Sequence, residues 1–191
     1  MAVNRINSAP VTMKKCGILL ILSLALLLGW KNLLMAKEVG EYHVKAIFLL
    51  NLAHFVNWPE ESQTTDAPFA ICIYGPDPFG SFLDRAVAGE SILNRPITIE
   101  HYTRLSDLSR NSCGILFFNS SVLPDWELIY PQVINRPVLT VGDSVGFTQM
   151  GGMVNLLETG QRIQIQVNYQ AVLKSGLSMS AKLLNLAHIV E

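Results

Sequence analysis

The sequence predicts an α/β fold: a single compact domain whose mixed, mainly parallel sheet is flanked by helices and finished by a C-terminal hairpin plus helices. Three observations predict it. Short apolar runs bounded by Gly, Pro or polar residues, at Phe69–Tyr74, Gly114–Phe118 and Pro137–Val141, read as buried strands. Segments of helical periodicity separate them, the alternation that builds a parallel sheet. Near the end, Met153–Leu157 and the alternating Ile163, Ile165 and Val167 flank Thr159-Gly160, the layout of a hairpin and so of a mixed edge.

Taken in order, Glu38–Val56 carries Val44, Ile47, Phe48, Leu52 and Phe55 at helical spacing, with Leu49 and Leu50 widening the stripe. Glu41, Lys45 and His54 form its thin polar face, and Glu41 and Lys45 stand as an i,i+4 pair. Trp58-Pro59 ends this helix, because proline disfavours helical geometry in the residue before it. Glu60–Pro68 is a polar loop, Phe69–Tyr74 a strand, Gly75–Pro78 a turn, and Phe79–Val87 a short helix stopped by Gly89. Pro96–Tyr102 alternates, with Ile97, Ile99 and His101 on one face. Leu123–Ile134 reads as a helix kinked at Pro131. Asn168 is placed to cap the next short helix and Gly176 to stop it; Ser180 caps a final helix whose apolar face is Leu183, Leu184, Ala187 and Ile189 or Val190. The whole reads as Rossmann-like layering in one domain, with no internal repeat or low-complexity tract.

The N-terminus reads differently. Arg5, Lys14 and Lys15 precede the apolar run Ile18–Leu28, and residues 1–36 hold no acid. A positive segment followed by an apolar run of this length has the layout of a secretory signal peptide; the run falls short of the roughly 20 residues that a membrane span needs. The expected organisation is a signal peptide over 1–36, cut near Ala36, and an α/β domain over 37–191. The alternative is an uncleaved anchor over Ile18–Leu34. Cys16 precedes the apolar run, which argues against lipid attachment there.

Removal of residues 1–36 takes away four basic residues and no acidic ones, leaving ten against fifteen and a net charge of about −5. That charge argues against nucleic acid as a partner, since phosphates select basic surfaces. With Cys16 gone, Cys72 and Cys113 remain, and an even count in an oxidising compartment is the arithmetic of a disulfide. The pair would close a loop valued at roughly 3–4 kcal/mol in the chain-entropy model. Two separate buried thiols are the other reading.

The search for chemistry is mostly negative. The chain has no GxxxxGK[ST] phosphate loop, and although Gly142–Gly146 (GDSVG) spells GxSxG, no nucleophile elbow is assigned there. Gly142–Gly152 is glycine-rich but lacks GxGxxG, and its glycines are read as turn formers. His43, His54, His101 and His188 form no HxH or HxxxH pair, and no metal site is assigned; a spatial group of His54, His101 and a carboxylate stays open. Ser144 follows Asp143 without a histidine nearby in sequence, and Glu60-Glu61 is read as solvated. Asp77 is the carboxylate best placed for a cleft, though helix capping is the preferred reading. No catalytic residue, cofactor or enzymatic activity is assigned. Trp58, Phe79, Trp126, Phe147 and Met150 sit at turns or helix ends, where such side chains serve either as interface anchors or as core.

Six segments together resemble the YfiR family of periplasmic proteins: VKAIFLLNLAHFVNWPE (Val44–Glu60), FAICIYGPDPFG (Phe69–Gly80), GILFFNSS (Gly114–Ser121), RPVLTVGDSVGF (Arg136–Phe147), GGMVNLL (Gly151–Leu157) and IQIQVNYQAVLKSGLSMSAKLLNLA (Ile163–Ala187). Their order and spacing carry the likeness, which runs from about Glu41 to Val190. The resemblance implies a periplasmic repressor that binds the sensor domain of an inner-membrane diguanylate cyclase of the YfiN type and lowers cyclic di-GMP signalling. It also implies a homodimer, and sequestration by an OmpA-like lipoprotein of the YfiB type. Cys72 and Cys113 fall where the family has one disulfide; its second pair, expected around Val145–Gly152, is absent. No binding motif is distinct enough to carry partner-binding residues over. The alternative function is a periplasmic solute-binding module with a pocket between the Gly75 turn and the Gly142–Gly152 loop.

Overall fold

The computed structural model describes residues 40–60, 66–108, 113–160 and 162–190. The expected signal peptide, Cys16 and Glu61 lie outside these residues. Residues 40–55 form helix α1, and Val56–Asn57 a two-residue strand, β1. Then come β2 (Phe69–Tyr74), α2 (Ser81–Val87), β3 (Ser91–Ile92), β4 (Arg95–Tyr102), α3 (Leu105–Leu108) and β5 (Cys113–Phe118). A 3₁₀ turn (Ser120–Asp125) leads into α4 (Trp126–Val133), followed by β6 (Leu139–Gly142), β7 (Val154–Thr159), β8 (Arg162–Asn168), α5 (Tyr169–Lys174), β9 (Ser178–Met179), α6 (Ala181–Leu184) and β10 (His188–Val190).

Eight strands make the main sheet, in the order β10-β8-β7-β6-β5-β2-β4-β3, while β1 and β9 pair apart from it. The inner run β4, β2, β5, β6 and β7 is parallel throughout. Antiparallel pairs stand at both sides of it, β7 with β8 and β3 with β4. The sheet is therefore mixed and mainly parallel, as predicted. The chain reverses direction across β2: it steps out to β4, then returns past β2 to β5. That is the doubly wound pattern, with its switch point between the carboxyl ends of β2 and β5.

Helices cover both faces. Leu49, Leu52, Leu83, Val172 and Leu183 place α1, α2, α5 and α6 on one side, against Ile71, Ile73, Ile115, Phe117 and Val141. Leu108, Trp126, Ile129 and Val133 place α3 and α4 on the other, against Cys72, Leu116 and Phe118. The alternation of strand side chains between faces accounts for this division.

Three local expectations need correcting, and one turn went unread. Val44 and Ile47 are 43% and 50% exposed, whereas Lys45 is 1% exposed: α1 is rotated from the apolar stripe so that a lysine faces inward. Its partner is a carboxylate about a hundred residues away, which local periodicity cannot register. The β3–β4 hairpin turns on Leu93 and Asn94, both at positive φ (54° and 60°), without glycine as a signal. The segment from Ser120 begins as 3₁₀ and becomes α-helical only at Trp126; Pro131 lies inside α4, where it can donate no backbone hydrogen bond. Finally, Ile189 and Val190 belong to β10, paired in parallel with β8, and not to the last helix. The caps hold as read: Asn168 accepts from the Ala171 N–H at 2.9 Å, and Ser180 from the Leu183 N–H at 3.3 Å.

Candidate functional site

Ligands of doubly wound sheets collect outside the carboxyl ends of the parallel strands, at the switch point. Here that crevice is crossed by the chain's own side chains. Gly75 follows β2 at φ 90°, and a Cβ there would meet Val122 at 2.4 Å, so glycine lets the 3₁₀ turn close over the strand end. Asn119, at the end of β5, donates from Nδ2 to the Pro76 carbonyl at 2.7 Å and accepts from the Ser121 N–H at 2.9 Å. One side chain thus ties the two loops flanking the switch point. Asp77 does not cap α2, whose N-cap is Gly80; it accepts from the Phe79 N–H at 2.8 Å within the preceding turn, and its other oxygen lies 3.2 Å from His101 Nε2. Tyr74 donates to Asp125 at 3.4 Å; burial first, then the Asp125 charge and this hydrogen bond, raise its hydroxyl pKa above the usual tyrosine value.

Beside the crevice, at the end of β6, the side chain of Asp143 is buried. Its Oδ2 accepts from Tyr42 Oη at 2.8 Å and lies 3.1 Å from Lys45 Nζ, which also pairs with Glu41. The Lys45 and Asp143 side chains are only 2% and 1% exposed. Two opposite charges so deep in apolar surroundings are tolerated because each neutralises the other, with Tyr42 and Glu41 as further partners. The arrangement latches α1 to the Asp143 loop. Asp143 Oδ1, Ser144 Oγ and the Asn155 side-chain oxygen are buried without a protein partner among the described residues.

The glycine-rich loop beyond Asp143 is anchored. Gly146 and Gly151 take positive φ (86° and 93°), as turn formers should. Gly142 and Gly152 have a different job, since a Cβ on either would strike the Phe147 ring at 2.6 or 2.2 Å. Asn155 and Asn168 donate to the Ser144 and Thr148 carbonyls at 2.7 and 3.0 Å and fix the loop to β7 and β8. Phe147, Trp126, Phe79 and Trp58 are all buried, so four of the five candidate anchors serve the core; Met150, 41% exposed, does not.

Cys72 and Cys113 are joined, with Cα atoms 5.9 Å apart, by a bridge between the neighbouring strands β2 and β5. The histidines are dispersed. His43 stacks on Phe82, with centroids 3.7 Å apart, His54 approaches Glu90 at 4.0 Å, and His188 lies in β10. His54 and His101 therefore face different carboxylates. Among the described residues no group of three His, Cys, Asp or Glu could hold a metal ion.

Fold and site together define a doubly wound, disulfide-bridged α/β domain with its switch-point loops tied to each other. Residues 42–188 match the family described as YfiR/HmsC-like, and the chain belongs to that family. No curated protein matches it.

Proposed function

We propose that this protein is exported to the periplasm and binds the sensor domain of an inner-membrane diguanylate cyclase of the YfiN type, holding cyclic di-GMP output low. Membership of the YfiR/HmsC-like family over residues 42–188 carries the reading, and that family is consistent with periplasmic regulators of diguanylate cyclases. Three further features support it. The Cys72–Cys113 bridge suits an oxidising compartment. No described helix is long and apolar enough to cross a membrane. The switch-point loops spend their polar groups on each other, as expected of a domain that works by binding another protein and not by turning over a substrate. In the same reading residues 1–36 are the signal peptide, the functional unit is a homodimer, and an OmpA-like lipoprotein of the YfiB type relieves repression.

Two measurements test this together. Affinity capture from membranes with the tagged protein should enrich a cyclase, and deletion of the gene should raise cellular cyclic di-GMP. Unchanged cyclic di-GMP after deletion, with no cyclase or sensor protein captured, would sink the proposal.

A further inference from the structure

The sheet's two ends are finished unequally. β3 pairs with β4 only at Ser91–Pro96 and Ile92–Arg95, and among the described residues no strand lies against the rest of β4 on that side. Two hydrogen bonds fix which backbone groups are left. The Ile97 N–H donates to the Glu90 carbonyl at 3.3 Å, so Ile97 points outward; the Tyr102 carbonyl accepts from the Gly75 N–H at 2.8 Å, so Tyr102 points towards β2. Strand alternation then directs the N–H and C=O of Ile99 and His101, and the C=O of Ile97, away from the sheet. This free stretch is about 13 Å long at about 3.3 Å per residue.

A groove of about 560 Å³ runs beside it, walled by the second half of α2 and by the β3 hairpin. Ile97 and Ile99 lie along its floor, while Asp84 and Glu90, both exposed, stand at its rim. None of the described residues lining it is lysine or arginine. Glu90 lies 4.0 Å from His54 Nε2.

We infer that this edge is a docking site for an extended, basic segment of a partner protein, added as a further strand beside β4 with lysine or arginine at every second position. Unpaired ladder groups supply affinity for any extended chain. The carboxylates on the α2 side select the charge of the side chains that alternate towards them. The inference rests on the edge alone and holds whichever protein supplies the segment.

The test uses the full chain and a capped seven-residue peptide of alternating lysine and valine. Saturable binding is expected, with slowed amide exchange at Ile99 and His101. The double substitution Asp84→Lys and Glu90→Lys, both on exposed side chains, should weaken it about tenfold or more. N-methylation of the peptide's alternate amides, which leaves the protein untouched, should do the same. Equal affinity for the methylated peptide would reduce the interaction to surface charge and overturn the proposal. So would equal affinity for a peptide with glutamate in place of lysine. Concentration-dependent self-association that disappears in the charge-reversed variant, with no peptide binding, would assign the edge to a second copy of the chain and equally overturn it.

Discussion

The two faces of the sheet are held by different means. The face under α1, α2, α5 and α6 is broad and mostly aliphatic, and Lys45, buried at its margin, is clamped between Glu41 and Asp143. The face under α3 and α4 is smaller and aromatic. Phe118, Trp126 and Phe147 meet with centroids 4.7–6.0 Å apart, and the Cys72–Cys113 bridge lies among them. Aromatic contacts and a covalent bridge keep their geometry when the chain loosens elsewhere. An aliphatic layer with one long-range ion pair depends on α1 staying in place. The first face should therefore unfold as a consequence of losing a charge, the second as a consequence of losing a bond.

The largest effect expected is at the latch. Asp143→Ala leaves the buried Lys45 with Glu41 as its one carboxylate and should lower unfolding free energy by about 3 kcal/mol. The double substitution Lys45→Met with Asp143→Asn should cost well below the sum of its parts, because the two groups act as a unit. Urea unfolding of the four species measures this; strict additivity would deny the latch. Next comes the bridge. Cys72→Ser or Cys113→Ser should each cost about 2–5 kcal/mol. Indistinguishable melting of the parent chain with and without reductant would remove the bridge from the comparison.

Smaller effects sharpen the picture. Asn168→Ala removes the cap of α5 on the first face and should cost about 1 kcal/mol, read from the urea midpoint. The smallest concerns pH on the second face. Tyr74 binds its proton more tightly folded than unfolded, so above pH about 10 the unfolded chain ionises first and stability falls as pH rises. Below that pH both states are protonated and Tyr74 adds no slope. Tyr74→Phe should flatten the alkaline limb of the pH–stability profile; an unchanged limb would exclude Tyr74 as its source.

Much of this was legible in the sequence where local chemistry decides the outcome. The apolar runs at Phe69–Tyr74 and at Gly114–Phe118 became β2 and β5, and the polar caps Asn168 and Ser180 act where short side chains can reach a free N–H. Asp77, expected to cap a helix, instead closes the turn before it, because α2 starts only at Ser81. What was not legible depends on partners far along the chain. Lys45 looked like a surface residue because Asp143 was invisible to a helical window. β10 looked like helix because its identity comes from β8. The open edge of β4 follows from where β3 stops, and a Leu-Asn turn gives no advance notice of that.

That turn has a consequence of its own. Leu93 and Asn94 hold left-handed torsions, an arrangement that is costly for leucine by about 1–2 kcal/mol, yet Leu93 also packs against the aliphatic layer. The hairpin beside the groove is thus spring-loaded, its backbone straining to relax while its side chain keeps it seated. A visitor that lifted Leu93 off the layer would release torsional tension as it forfeited contact.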